Sequence, residues 1–490
     1  MQQKSFFLWV LGAVFMVACQ PQNQPTGEWQ TIFDGQSLEG WKKSKENSES
    51  ISIENGAIKC SGSRAHLFYE GSFKNFEFET EVKTAEHSNS GIFIHTQYQK
   101  NGWPVKGYEI QVNNSFRGSE KNPERRKTGS IFNIRNIYFP LVEDGEWFKM
   151  RIKVVENHIE VFVNDVKVND YIEPEDPWRA DTRKGLRLDE GTFALQAHDP
   201  GSTVWYRNIR VKRLPEGSRT PLKVDKEWDS LVTKLMHAGF PLIDYHVHLK
   251  GGLTLEEVIE NSQRLGINYG IAPNCGLHFP VTNDSTLIAY LNDVEKSPTF
   301  KGMQAEGREW ITLFSPEAVA RFDYVFTDAM TFTDSKGRRN RIWMPEEVWV
   351  EDKQQFMDQM VRKIEAIFSR EPVDIYVNPT VLPAEIADEY DELWTRERME
   401  RVVKVLADNN IALEINARYK VPGPEMIKMA KEAGVKFSFG TNNTGRDLGR
   451  LEYCLEMLEE CRLTPNDMFE IKPDHKKPVK VKGFPSKITG

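Results

Sequence analysis

FEFETEVKT (76–84) sets an aromatic, aliphatic or threonine side chain against a charged one at every step. Side chains of a strand alternate between two faces, so this run reads as a half-buried β-strand. The same alternation recurs in GIFIHTQ (91–97), GYEIQVN (107–113), WFKMRIKVV (147–155), IEVFVND (159–165), TFALQAH (192–198) and STVWYRNIRV (202–211). Between two of these runs, Val155-Glu-Asn-His158 reads as a hairpin turn. No helical period interrupts the pattern from Trp29 to about Leu214. Many short strands at turn-punctuated spacing predict an all-β jelly-roll or concanavalin-like sandwich over 28–213.

Beyond Trp228 the period changes. PLIDYHVHL (241–249) reads as a buried strand and LTLEEVIENSQRLG (253–266) as an amphipathic helix. YGIAPNC, GMQAEGREW, DYVFTDAMTF, DIYVNP, IALEINA and KFSFGTNN then alternate with helical runs such as KQQFMDQMVRKIEAIF (353–368) and RERMERVVKVLADNN (396–410). Seven βα units predict a distorted parallel (βα)7 barrel over 238–490, with 214–237 as linker. Barrel chemistry sits at the carboxyl ends of strands. There the sequence places His246, His248, Asn274, Glu306, Asp328, Asn378, Glu414, Asn416, Asn442 and Asn443.

The 490 residues are 39% hydrophobic and 28% charged, which excludes a disordered chain and a multi-span membrane protein. Lys plus Arg number 64 against 72 Asp plus Glu, a net charge of −8 with no long basic run, so nucleic acid is not an expected partner. MQQKSFFLWVLGAVFMVACQ (1–20) carries one early Lys, an apolar run too short to span a bilayer, and small residues before Cys19. It resembles a bacterial lipoprotein signal: residues 1–18 would be removed, Cys19 lipidated, and 19–27 would serve as tether. The expected location is the cell envelope, periplasmic or outer-membrane anchored. Cys454 and Cys461 lie seven apart on one predicted helix, about 10 Å along its axis, too far for a disulfide.

Sorting side chains by face puts Glu109, Gln111 and Asn113 on one side of their strand, and Gln196 with His198 on one side of theirs. Arg207 has the parity of Trp205, and His95 ends a strand that begins at Asn89-Ser90-Gly91. A concave face gathering Glu109, Gln111, Gln196, His198 and Arg207 would hold a base, amide donors and a fixed cation. The bland alternative is a solvated sheet face.

The ordered motifs SNSGIFIH (88–95), GYEIQ (107–111), TGSIF (128–132), DGEWFKMRI (144–152), VFVND (161–165) and LQAHDPGSTVWYRNIRV (195–211) resemble the 3-keto-disaccharide hydrolase family, also described as 3-keto-glycoside lyase and 3-keto-2-hydroxyglucal hydratase. His95 departs from the Arg more usual after the NSG turn. The resemblance implies a carbohydrate substrate, a 3-keto-glycoside. A C3 ketone acidifies the C2 proton, a base removes it, the C1 substituent leaves by β-elimination, and water adds back. Glu109 or His198 would be the base, and the sequence does not separate them. Asn89, His95, Gln111, Gln196 and Arg207 would bind substrate, with no cofactor.

In the barrel, DYHVH (244–248) places two imidazoles on one strand face about 7 Å apart, a spacing suited to a divalent ion. With LEINARYKVPGPEMIKMAKEAGVKFSFGTNN (413–443) it resembles the polymerase-and-histidinol-phosphatase (PHP) family. Ligand positions of that family read here as Asn274, Asn378, Asn442 and Thr444, so at most one divalent ion (Zn or Mn) is expected, on His246, His248 and Glu306. Asp328, Glu414 and His278 are the possible substitutes. No GxSxG, Walker-type loop, GxGxxG after a strand or HExxH occurs. Three functions remain: an exported lipoprotein that cleaves 3-keto-glycosides, a carbohydrate-binding sandwich fused to a metal-dependent PHP-type hydrolase, or a non-catalytic glycan-binding lipoprotein.

Overall fold

The computed structural model describes residues 26–119, 121–217 and 221–488. The proposed signal and Cys19 lie outside the described residues. Among those described, no helix is long and apolar enough to cross a membrane.

The amino-terminal half is a sandwich of two antiparallel sheets. The larger runs in the order Val166–Ile172, His158–Val163, Phe148–Val155, Phe76–Thr84, Thr203–Arg213, Ala57–Ser61, Ile51–Glu54, with Trp29–Thr31 also paired to Thr203–Arg213. The smaller runs Trp41–Lys43, Ala65–Tyr69, Thr192–Ala197, Asn89–Thr96, Tyr108–Asn113. The expected hairpin is present, with Val155 opposite His158. Alternation in Phe76–Thr84 is complete: Phe76, Phe78, Thr80, Val82 and Thr84 are buried. The intervening Glu77, Glu79 and Glu81 pair on the outer surface with Lys212, Arg210 and Arg207. Ile92, Ile110, Leu195 and Leu67 of the smaller sheet are fully buried. Each contributes about 1.5–3 kcal/mol of burial. Tyr206 crosses the layer to reach Ser90 Oγ at 2.7 Å.

In the carboxy-terminal half, parallel strands Ile243–Val247, Asn268–Ile271 (continued by Asn274–Cys275), Phe300–Ala305, Tyr324–Thr327, Ile375–Tyr376, Ala412–Asn416 and Phe437–Gly440 pair in sequence. Phe437–Gly440 pairs back onto Ile243–Val247, closing the seven-stranded barrel. The first barrel helix, Leu255–Leu265, starts at a capping box of Thr254 and Glu257 and stops at Gly266, whose φ of 71° suits a residue without Cβ.

Only part of 214–237 behaves as a connector. Lys226–His237 is a helix capped by Asp225, and it buries Trp228, Val232 and Met236 on one side. Its Asp229 pairs with the sandwich's Arg135 at 2.6 Å, both side chains being almost fully buried. The apolar spacing i, i+4, i+8 is present in the sequence, but the prolines and mixed charge just before it dominate the reading. Around this helix, Asn268 donates to Asn136 O (2.9 Å) and accepts from Tyr138 N (3.1 Å), while Gln263 donates to Lys167 O (2.6 Å). These contacts lie where barrel strands begin. The sandwich therefore docks on the amino-terminal end of the barrel, and the mouth that holds His246 and His248 faces the other way.

Candidate active site

Tyr108–Asn113 is the last strand of the smaller sheet, and residues 128–132 run along its outer edge, with Gln111 N donating to Ser130 O (2.9 Å) and Phe132 N to Glu109 O (2.9 Å). Glu109 stands opposite Phe93, and Gln111 opposite Gly91. A Cβ at position 91 would lie 2.5 Å from Glu109 Oε1, so the glycine leaves the notch into which that carboxylate folds. Gln196 Nε2 donates to the same Oε1 at 3.0 Å. Burial pushes the Glu109 carboxyl up to about 7, and the Gln196 hydrogen bond only partly opposes it.

A second chain of contacts runs beside it. Gln111 Nε2 donates to Asn89 Oδ1 and, at 3.1 Å, to Ser90 O. Asn89 Nδ2 lies 3.2 Å from His198 Nε2, and His198 Nδ1 lies 2.8 Å from Asp199 Oδ2. A neutral ring satisfies both contacts, with Nδ1–H donating to Asp199 and the Nε2 lone pair accepting from Asn89; a protonated ring keeps the Asp199 contact and turns Nε2–H from Asn89 towards a substrate oxygen. Ser202 Oγ (2.6 Å) and Gly201 N (2.9 Å) fix Asp199. Burial works to raise that carboxyl, but hydrogen bonds from Ser202, His198 and Gly201 outweigh it and hold it below the usual range. The result is an ionised Asp beside an oriented imidazole, next to a carboxyl tuned to neutrality.

Aromatic rings border the cluster. Trp103, 36% exposed, has its ring centroid 5.4 Å from that of His198 and 5.7 Å from that of His66. His66 stands opposite Gln196 in the sheet and is fully buried. Both of its ring nitrogens, Gln111 Oε1 and Gln196 Oε1 are buried without hydrogen-bond partners. Each orphan costs on the order of 1–3 kcal/mol, and a hydroxyl-bearing ligand would relieve it. Trp103 and His66 escape a reading of the sequence because the alternation of their segments gives no functional signal. Asp199 is visible directly after His198, but a neighbour in sequence is seldom a hydrogen-bond partner in a strand.

Two expected site residues fall elsewhere. Arg207 belongs to Thr203–Arg213 of the larger sheet and points outward, where Nε donates to Glu81 at 2.6 Å and the guanidinium covers Trp147 at 4.0 Å. Parity fixes the face of a strand but not which sheet the strand joins. His95 is a structural imidazole: Nε2 lies 2.9 Å from Lys74 O, and Nδ1 accepts from Asp189 N at 3.2 Å. Burial lowers it to about 4, so it is neutral and already fully bonded. Asn89, Glu109, Gln111, Gln196 and His198 do come together.

At the barrel mouth, His246 Nδ1 lies 2.6 Å from Glu414 Oε1 and His248 Nδ1 2.8 Å from Ala272 O. The backbone oxygen on His248 Nδ1 leaves its Nε2 as the lone-pair atom, the usual orientation of a ligating imidazole. His248 Nε2 is buried without a partner, and His246 Nε2 faces Gln304 Oε1 at 3.3 Å. His248 is thus oriented towards a divalent ion, and His246 stands beside it with an oxygen at each ring nitrogen. Glu306 does not join them. It accepts from Asn274 Nδ2 at 2.5 Å, and burial first, then the neighbouring Asp328, pushes its carboxyl up to about 8. Glu414 is committed to His246, Asn378 N (2.7 Å) and Asn416 Nδ2 (2.8 Å), and acts as an orienting partner. Of the expected trio, His246 and His248 adjoin, while Glu306 is held by Asn274. Among the described residues, the three carboxylate or imidazole groups whose donor atoms lie within 4.8 Å of one another are His158, Glu160 and Asp170 on the sandwich. Lys167 occupies Asp170 at 2.6 Å and Lys153 occupies Glu160 at 3.2 Å, which makes that cluster an ion-pair network.

Residues 28–212 match the family model described as the 3-keto-alpha-glucoside-1,2-lyase-like domain. Over 232 residues, 38% of this chain and 78% of the relative, the sequence is 29% identical to a 3-keto-disaccharide hydrolase of Bacteroides thetaiotaomicron. The chain is also similar to a solved Parabacteroides distasonis protein provisionally named a glycosyl hydrolase, with 22% identity, coverage of 38% of this chain and 94% of that one, and a TM-score of 0.35. Histidinol phosphate phosphatase of Lactococcus lactis, solved with zinc, L-histidinol and phosphate, is similar at 14% identity over 45% of this chain and 94% of that one, with a TM-score of 0.30.

Proposed function

We propose that the sandwich cleaves 3-keto-glycosides by elimination and hydration, with Glu109 as the base. The observation that carries this reading is a carboxyl tuned to about 7 in a glycine notch, beside an Asp199–His198 pair on the same sheet face. Glu109 takes the C2 proton, and the electron pair passes into the C3 carbonyl as an enediolate. The C1–O bond breaks as the enediolate collapses, and the departing oxygen takes a proton from the His198 imidazolium, which Asp199 stabilises. Water then adds at C1 and loses its proton to His198, while the Glu109 carboxyl, its proton exchanged with solvent once the leaving group has gone, protonates C2. Gln196 aligns the base, and the unpartnered oxygens of Gln111 and Gln196 accept substrate hydroxyls.

Turnover of a 3-keto-glucoside in deuterium oxide tests the order of events. The released keto-sugar should carry solvent deuterium at C2. Release without label would mean direct displacement at C1 and would remove Glu109 from its role.

A second reading concerns the barrel alone and rests on the unpartnered Nε2 of His248 beside the Glu414-oriented His246. A divalent ion on this pair would polarise a substrate oxygen as a Lewis acid. Metal analysis of the purified protein should find about one zinc or manganese per chain, lost in His248→Ala; a metal-free wild type ends this reading. We further propose that the chain is a cell-envelope lipoprotein anchored through Cys19, with the signal, sandwich and barrel as separate units. Its mature amino-terminal peptide should carry acyl mass, and an unmodified Cys19 would refute the anchor.

A further inference from the structure

Between the two domains lies a cavity of about 640 Å³, inside the range of small-molecule sites. On the sandwich side it is lined by His198, Asn89 and Phe116, the ring of Phe116 standing 5.8 Å from His198. The opposite wall is barrel-domain backbone: the Ala238–Gly239 turn that ends the docking helix and the 3-10 turn at Pro465 and Asn466. Glu109 is not part of the lining. The cavity therefore starts at the residue assigned to protonate the leaving group and leads away from the residue assigned to C2.

Its arginines are spent, and Lys121 is the lining cation that stands exposed. Arg125, which bridges the two domains, donates to Glu470 (2.6 Å) and Asn466 (3.2 Å), and Arg126 is paired with Glu124 at 2.5 Å. Beside that one lysine, what faces the space is a set of neutral amides (Asn89, Asn122, Asn136 and Asn466) and the ring of Phe116, a lining suited to a hydroxyl-rich ring. The walls are also fixed relative to one another. The Arg135–Asp229 pair is buried, and losing one partner of such a pair costs about 3–5 kcal/mol. The barrel end thus forms a permanent wall to the sandwich site, not a passing neighbour.

We propose that this cavity is the leaving-group subsite, that its occupant is a second sugar residue, and that the barrel domain selects it. The inference rests on the sandwich acting on 3-keto-glycosides. It gives the fused barrel a role in specificity independent of any chemistry at its own mouth. Ala238 is exposed in the cavity wall and has ordinary helical backbone, so a larger side chain there fills space without backbone strain.

The test compares kcat/KM for a 3-keto-disaccharide and for methyl 3-keto-glucoside in the full chain, in Ala238→Trp and in Ala238→Ser. The disaccharide-to-methyl ratio should fall about tenfold or more in Ala238→Trp and stay near wild type in Ala238→Ser. Turnover of the methyl glycoside shows that a variant is folded. An unchanged ratio in Ala238→Trp, with both substrates consumed, overturns the subsite and leaves the function standing. If wild type consumes neither substrate, subsite and function fall together.

Discussion

Glu109→Gln should lower kcat on a 3-keto-glucoside by about 10³-fold, within the range that a positioned base contributes. The substitution keeps the size of the side chain in the Gly91 notch and leaves an amide oxygen for Gln196 to address, so the sheet face should survive it. What disappears is the lone pair that accepts the C2 proton, and C2 deuterium exchange should vanish with turnover. In wild type the pH dependence has a definite sign. Burial raises the Glu109 carboxyl to about 7, and only its ionised form is a base. kcat/KM should therefore climb about tenfold per unit as pH rises towards 7. Gln196→Leu removes the hydrogen bond that favours the ionised form, so the same limb should move to higher pH. Glu109→Gln with more than about a third of wild-type kcat would exclude Glu109 as the base, since no residual pathway of that size is compatible with a lost proton acceptor.

The distribution of what the sequence reveals follows from the range of each physical signal. Period two in residues 76–84 and 107–113 is a local property, and it identifies the strands and the outward position of Glu109 and Gln111. Sheet membership is non-local. Arg207 has the correct parity for a site residue, yet its strand lies between Phe76–Thr84 and Ala57–Ser61 on the far layer. His95 reads as a substrate ligand because nothing in the sequence reveals that Lys74 and Asp189 already occupy both nitrogens. The barrel is legible because seven strands alternate with amphipathic helices. The loss of Glu306 as a ligand at its mouth is only partly legible. Asparagines stand at positions 274, 378 and 442, but the Asn274 contact that holds Glu306, and the burial and Asp328 that raise its carboxyl, arise only in the fold. Docking is invisible for the same reason, since Arg135 and Asp229 are charged residues that mean nothing until they are buried together.

His198→Ala should separate the departure of the leaving group from the removal of the C2 proton. With Glu109 intact, deprotonation at C2 continues, so C2 deuterium exchange into unreacted substrate should persist while product release falls by about 10²–10⁴-fold for an alkyl glycoside. An alkoxide leaves poorly without a proton, whereas a nitrophenolate needs none. The loss should therefore shrink to less than about tenfold for a 4-nitrophenyl 3-keto-glucoside, because acid assistance matters in proportion to the basicity of the departing oxygen. Asp199→Asn tests the support behind the acid. Ser202, Gly201 and His198 hold Asp199 ionised, and the anion stabilises the imidazolium. Without that charge, turnover of the alkyl glycoside should fall by about tenfold or more while the nitrophenyl substrate is nearly unaffected. Equal losses for alkyl and nitrophenyl substrates in His198→Ala would mean that the ring positions the substrate through Asn89 and donates no proton to the leaving oxygen.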